Sequence, residues 1–203
     1  MNQVLVGRSP SLTQHGAGVV GPNAVLQLIE PLHTHVRSEG LHAVFSQAGV
    51  VRYLTQPPLA MVPEEHALRL FKAVWSELPE KLAEKVLAEA GRGTAAYVIA
   101  NRIPGPARTF LRLLPATLAA PLLCRAIKSH AWTFAGSGRC EASGMRRIQV
   151  DITDNPLATP NCPWHSAVLL TMFRSLVNRS LVLEHSYCCA RGDAFCRFEL
   201  GPP

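Results

Sequence analysis

Glu184-His185-Ser186-Tyr187-Cys188-Cys189-Ala190-Arg191-Gly192-Asp193-Ala194-Phe195-Cys196-Arg197-Phe198 holds three of the chain's six cysteines, and Cys162 lies upstream. The flanks of Arg191-Gly192-Asp193 read as two strands, Ser180 to Tyr187 and Phe195 to Leu200, joined by a turn. Such a turn reverses the chain and brings the sulfurs of Cys188 and Cys196 to one point. Thiolate, imidazole and carboxylate are the ligands zinc takes, usually four at the corners of a tetrahedron. Cys162, Cys188 and Cys196 supply three. Glu184, His185 and Cys189 compete for the fourth place. In an unbroken strand, period-two alternation sets Glu184 on the face of Cys188 and His185 on the other; a bend near Tyr187 reverses this. The competing reading is of small buried hydrophobes, since free cysteine is among the most buried residue types. With four protein ligands a metal here would be structural, because no position stays open for water. Cys124 and Cys140 read as plain core or surface residues.

Working outward, Pro163 to Asn178 reads as a helix on Val168, Leu169, Met172, Phe173 and Leu176. Arg147-Ile148-Gln149-Val150-Asp151-Ile152 alternates as a half-buried strand does, and Asp154-Asn155-Pro156 ends it. Ala131-Trp132-Thr133-Phe134-Ala135, short and aromatic, reads as a further strand before Gly136-Ser137-Gly138. Consecutive short strands around one helix favour an antiparallel sheet covered by helices. The N-terminal half reads as helical. One helix spans Pro22 to Val36, with Pro31 a kink or an end. A second spans Leu41 to Val51. A third starts at Pro63 with Glu64 and Glu65 in its first turn, where they suit the dipole. A longer tract from Glu80 to Arg102 is expected to break near Gly91-Arg92-Gly93. Pro104-Gly105-Pro106 is the preferred boundary between a helical part, residues 1–103, and an α+β domain, residues 104–203, packed as one unit.

At 203 residues, 48% apolar and 17% charged, the chain can bury a real core. Six cysteines are too sparse for a disulfide scaffold, and Met1-Asn2-Gln3-Val4-Leu5-Val6-Gly7-Arg8 lacks the pattern of a secretory signal, so reduced thiols or metal thiolates in a cytoplasm are expected. The longest apolar region, Leu113 to Cys124, is broken by Pro115 and Pro121 and falls short of the roughly 20 residues a spanning helix needs. It reads as buried helices or as a segment touching a ligand or a membrane surface. The net charge of +6 is uneven: between Arg92 and Arg147 nine basic residues face one acid, Glu141. That bias suits an amphiphilic anion or an acidic protein surface; few aromatics and no recognised binding motif speak against nucleic acid. Gly16-Ala17-Gly18-Val19-Val20-Gly21 has the letters of a dinucleotide loop. No buried strand precedes it and Pro22 follows at once, so it reads as a glycine-rich lead-in and not as a nicotinamide or flavin site.

Cys188-Cys189-Ala190-Arg191-Gly192-Asp193-Ala194-Phe195-Cys196-Arg197-Phe198 resembles the closing motif of the 4-vinyl reductase domain family: a cysteine, Ala-x-Gly-Asp, then cysteine-x-Phe. That motif covers about the last third of the chain. Gly21-Pro22-Asn23-Ala24, Asn101-Arg102-Ile103-Pro104, Leu114-Pro115 and His130-Ala131-Trp132-Thr133-Phe134-Ala135-Gly136-Ser137-Gly138 are similar to the bacteriochlorophyll-biosynthesis branch of that family in purple phototrophic bacteria. With them the resemblance extends over nearly the whole chain. It implies an α+β fold like that of the transport-protein-particle core subunits, a twisted antiparallel sheet flanked by helices, often dimeric. Related sensor domains bind zinc through such cysteines, an upstream cysteine that Cys162 matches by spacing, and an acid three residues before Cys188. This chain has His185 there, with Glu184 one residue further away. The resemblance also implies a role in magnesium-tetrapyrrole metabolism at a vinyl-reduction step.

Reducing a vinyl group needs a hydride or electron source. The residues offer no nicotinamide or flavin site, and the cysteine spacing does not match the iron–sulfur runs of ferredoxins. The expectation is therefore a tetrapyrrole-binding accessory or carrier protein of bacteriochlorophyll biosynthesis. Its partners would be a magnesium porphyrin or chlorophyllide intermediate and the biosynthetic enzymes, with a homodimer and peripheral membrane contact as further expectations. The macrocycle would lie between the helices of residues 111–127 and a Trp132–Phe134 strand. Arg102, Arg108, Arg112 and Arg125 would meet its propionates, since guanidinium pairs well with carboxylate. His130, His33 and His35 are the imidazoles noted for magnesium. Two alternatives stand beside this: an 8-vinyl (formerly 4-vinyl) reductase using an external reductant, and a pigment-free docking module for a biosynthetic enzyme.

Overall fold

The computed structural model describes residues 18–203. Gly16, Ala17 and the N-terminal stretch read for a secretory signal lie outside the described residues. The helices are α1 (Asn23–Leu26), α2 (Ile29–Gln47), α3 (Glu64–Glu77), α4 (Glu80–Asn101), α5 (Gly105–Leu113), α6 (Ala116–Ser129), α7 (Trp132–Ala135) and α8 (Pro163–Leu176). Two short strands, β1 (Val19–Val20) and β2 (Val62–Pro63), pair antiparallel. The main sheet is antiparallel in the order β3-β4-β6-β5, formed by β3 (Arg139–Gly144), β4 (Ile148–Thr153), β5 (Val182–Tyr187) and β6 (Phe195–Gly201).

Several local readings meet their physical causes here. The two helices expected on either side of Ser38 are present and meet across a kink within α2. Pro31 sits in its first turn, where a missing N–H costs little. The kink falls instead at Arg37, whose φ of 58° is left-handed. Helix α4 runs unbroken through Gly91-Arg92-Gly93, against the expected interruption. Gly91 is a packing device: a Cβ there would stand 2.4 Å from the carbonyl oxygen of Trp164 on α8. Trp132 to Ala135, expected as a strand, is one helical turn, closed by backbone bonds from Thr133 to His130 and from Ala135 to Ala131. The first strand of the sheet is Arg139–Gly144 instead.

Strand alternation sorts the sheet's two faces. Cys140, Ala142, Ile148, Val150, Ile152, Cys196, Phe198 and Leu200 point inward and are buried. They pack with Leu123, Cys124 and Ile127 of α6 and Leu169, Phe173 and Leu176 of α8. The outward face carries Glu141, Asp151, Arg197 and Glu199; Arg197 donates to both Asp151 oxygens across β4 and β6 at 2.9 and 2.8 Å. Helix α8 is buried on two sides. Trp164 and Val168 belong to a second core built by α1–α4, in which Leu28, Leu32, Phe45, Leu70 and Phe71 are fully buried.

This is not the transport-protein-particle-like fold expected from the resemblance. The sheet is covered by α6 and α8 on its inner face, and the helical half stacks on the far side of α8. The α4–α8 seam is the most extensive packing between any two elements. Gly91, against Trp164 and Ala167 of α8, allows that close approach. A helix that chooses its partner this way gives no local signal of which element the partner is.

Candidate metal centre

Three elements deliver the cluster. Cys162 is the N-cap of α8, with Pro163 in the first turn. Asn161 and Cys162 both take left-handed φ values, 58° and 42°. Such positions cost about 1–3 kcal/mol each and persist only where the surroundings hold them. Cys188 and Cys196 flank the β5–β6 connection, where Gly192 supplies the positive φ of 93° that ends a short 3₁₀ turn. Asp193 Oδ2 accepts from the Cys188 N–H at 2.7 Å, and the Arg191 N–H donates to the Cys188 carbonyl at 2.8 Å. The Ala-Arg-Gly-Asp loop thus folds into a knuckle that holds the two cysteines side by side.

The fourth member is His185, delivered by a β-bulge. His185 pairs with Phe198 and Tyr187 with Arg197, so Ser186 is the extra residue. One inserted residue reverses the alternation. His185 therefore shares the buried side with Cys188, while Glu184 is exposed opposite Glu199 and stays outside the cluster. Cys189 also stands apart, its thiol 3.9 Å from the Ile152 carbonyl.

The sulfur of Cys162 lies 3.6 Å from that of Cys188 and 3.7 Å from that of Cys196. All four donor atoms lie within 4.8 Å of one another. Metal–sulfur bonds of about 2.3 Å at tetrahedral corners set sulfurs about 3.8 Å apart. His185 Nε2 is buried with no hydrogen-bond partner, a costly condition that a bound cation relieves. Its ring stacks on Phe198 at 4.7 Å and 14°. The Cys189 N–H and the Asn155 side-chain amide both donate to Cys196 Sγ, at 3.3 and 3.4 Å. Asn155 is itself fixed by the Leu157 N–H at 3.1 Å. Such outer donors orient a ligating thiolate and stabilise its charge.

Hydrogen bonding among the sulfurs divides the protons. Its hydrogen-bonded contacts with Cys188 and Cys196, and then burial, push the Cys162 thiol far up from its ordinary range. The same contacts with Cys162 pull Cys188 and Cys196 down. For Cys196, the Cys189 N–H and the Asn155 amide add to the effect. By contrast burial pushes Cys124 up to about 11 and Cys140 up to about 12, so both are neutral core thiols. A cluster of three cysteine sulfurs and an imidazole, all within 4.8 Å of one another, could hold a metal ion.

The arginines expected to act together do not converge. Arg112 donates from Nε to the Ser175 carbonyl at 3.1 Å. It lines an open cleft of about 600 Å³ with Arg174, Leu176, Val177 and Arg179. Arg125 lines a different cleft, between α6 and the β3–β4 turn, with Lys128 and Met145. Arg102 is exposed at the end of α4, over the Tyr97 ring, and Arg108 is half-buried on α5. His130 is exposed with Nδ1 3.0 Å from the Ala126 carbonyl, Trp132 is exposed and Phe134 half-buried. His35 pairs with Glu89 at 2.9 Å and His33 is exposed. Sequence reading missed Arg174 and Arg179; their signal was a second acid-free basic stretch at the end of α8, outside the segment counted above. It also missed His165, buried beside the cluster with Nε2 3.2 Å from the Phe134 carbonyl, which as a lone histidine in an apolar helix carried no signal.

No protein-family profile matches the chain. Two proteins called bacteriochlorophyll synthase 23 kDa chain are similar to it along nearly its whole length. That of Cereibacter sphaeroides is 39% identical over 189 residues, 90% of this chain and 90% of that protein. That of Rhodobacter capsulatus is 38% identical over 188 residues, 90% and 87% of the two chains. Among solved structures, one from work on heme distortion in the H-NOX family matches with a TM-score of 0.56 at 10% identity, over 89% of this chain and 93% of that one. An unliganded H-NOX mutant from K. algicida gives 0.52 at 9% identity, over 91% and 97%. An H-NOX protein from S. oneidensis gives 0.51 at 8% identity, over 89% and 98%. Identities this low show the fold alone, and the fold they show is the H-NOX one, which overturns the transport-protein-particle expectation.

Proposed function

The chain belongs to the family of the bacteriochlorophyll synthase 23 kDa chain, and from that premise we propose that it is an accessory protein that binds an acidic magnesium-tetrapyrrole intermediate without transforming it. Its role lies in bacteriochlorophyll biosynthesis, among the enzymes of that synthesis. The observation that carries the pigment reading is the cleft at the end of α8. Arg112, Arg174 and Arg179 stand around Leu176 and Val177, and no carboxylate lines it. Its volume of about 600 Å³ lies within the range of about 300–1,000 Å³ usual for small-molecule sites. Guanidinium is the planar donor that suits a propionate. The H-NOX structure named for heme distortion is a precedent for a tetrapyrrole on this fold and adds nothing about residues.

Cys162, His185, Cys188 and Cys196 would hold zinc. Four protein ligands leave no open position, which makes the metal structural. It would tie the β5–β6 knuckle to the N-terminus of α8, the helix whose other end carries Arg174.

The test is a titration of purified protein with magnesium protoporphyrin and with divinyl protochlorophyllide, followed by pigment absorption and tryptophan fluorescence. Saturable micromolar binding is expected. Arg174→Gln with Arg179→Gln should weaken it about tenfold or more, since a hydrogen bond to a charged group contributes about 1.5–3 kcal/mol. No binding at micromolar concentration would remove the reading. Formation of monovinyl product from divinyl substrate and reduced nicotinamide would replace it with a reductase.

A further inference from the structure

Helix α5 buries none of its residues, although it is amphipathic. Pro106, Thr109, Phe110 and Leu113 fall at helical spacing along one stripe. Phe110 is 56% exposed and Leu113 79%. The other side of α5 is already engaged: Leu111 packs on the sheet-side core and Arg112 is tied to Ser175. Beyond Leu114-Pro115, α6 buries Ala119, Ala120, Leu123, Cys124 and Ile127, and leaves Leu118 and Leu122 outward, 55% and 45% exposed. Four large apolar side chains close together in sequence therefore meet solvent, which a protein surface seldom shows without a use for it.

Helices α5 and α6 carry Arg108, Arg112, Arg125 and Lys128 and no carboxylate, and no acid occurs from Ala90 to Cys140. Lys128 is paired with Glu141 of β3 and Arg112 is held at Ser175, while Arg125 shares the outward side of α6 with Leu118 and Leu122. Apolar stripes bordered by guanidinium groups are the chemistry of helices that lie in the surface of an anionic bilayer. A second copy of the chain suits the same face poorly, since a two-fold interface would set the like charges near one another. Among the described residues no helix is long and apolar enough to cross a membrane, so the contact is with its surface.

We propose that the α5–α6 corner seats the protein on an anionic phospholipid bilayer, Phe110, Leu113, Leu118 and Leu122 entering the acyl boundary while Arg125 meets headgroup phosphates. The surface is separate from the arginine cleft and stands without the pigment reading.

The test is co-sedimentation of the full chain with vesicles of phosphatidylcholine containing phosphatidylglycerol, and with phosphatidylcholine alone. Binding to the anionic vesicles is expected to be stronger by about tenfold or more and to weaken with salt. Phe110→Ser with Leu113→Ser should reduce it by about tenfold or more, with melting temperature and pigment titration unchanged. Three results would overturn the proposal: no binding to either vesicle, binding that ignores the serine variant, or a dimeric wild type that the variant makes monomeric without any vesicle binding. Pigment affinity measured on the same variants keeps a failure here apart from a failure of the cleft.

Discussion

Cys162, Cys188 and Cys196 are fully buried, and the Cys189 N–H and the Asn155 amide are aimed at the sulfur of Cys196. Helix α5 is the reverse, with no buried residue and its largest side chains in solvent. Both regions are cysteine- or leucine-rich on paper and both looked apolar. The difference lies in what each side chain meets. In the cluster each donor faces another donor, and two consecutive left-handed residues persist to place Cys162 there. On α5 the apolar stripe lies mostly in solvent among the described residues. The first region is organised for rigidity and the second for contact, and changes in the two should separate along those lines.

The largest effect is expected at the cluster. Zinc present at a thousandfold over its Kd would stabilise the fold by about 4 kcal/mol. For a chain of this size that corresponds to about 8–16 °C in Tm. Thermal melts of metal-loaded protein with and without a strong chelator read this directly, and coincident melts would break the contrast. Elemental analysis sharpens it: His185→Ala should lower zinc per chain, whereas Glu184→Ala should leave it unchanged. The opposite result would mean that the bulge at Ser186 does not decide the ligand.

Next in size is the seam between α4 and α8. Gly91→Ala places a methyl group against the Trp164 carbonyl, and overpacking of this kind costs about 1–3 kcal/mol. Denaturant unfolding should show a lower midpoint with an unchanged slope. The smallest effect is expected on α5, where Leu113→Ser should change stability by no more than about 0.5 kcal/mol, as exposed positions do. A large loss of stability there would show that the corner is structural and would end the contrast.

How far the sequence reached depends on the distance over which each feature is fixed. Strand β4 was legible because Ile148, Val150 and Ile152 alternate against a polar face. The β5–β6 hairpin was legible because Arg191-Gly192-Asp193 encodes its own turn. Helix α3 announced itself through Pro63, Glu64 and Glu65. The break expected in α4 does not occur: a glycine inside a helix costs about 1 kcal/mol on its own, and here Gly91 lets α4 pack against Trp164 on another helix. The Trp132 turn was misread because aromatic composition favours strands, while the backbone closed locally into a helix.

By itself the sequence determined the three cysteine donors of the cluster, the turn that gathers two of them, and the basic, acid-free character of the middle of the chain. These depend on residue type and on spacings of a few positions. Tertiary structure alone decided that His185 and not Glu184 joins the cysteines, that Arg112 stands with Arg174 and Arg179, and that α4 lies on α8 to give an H-NOX-like fold. Each of those is a choice of partner. A partner is chosen by burying one element against a distant one, and no periodicity within a single element encodes it.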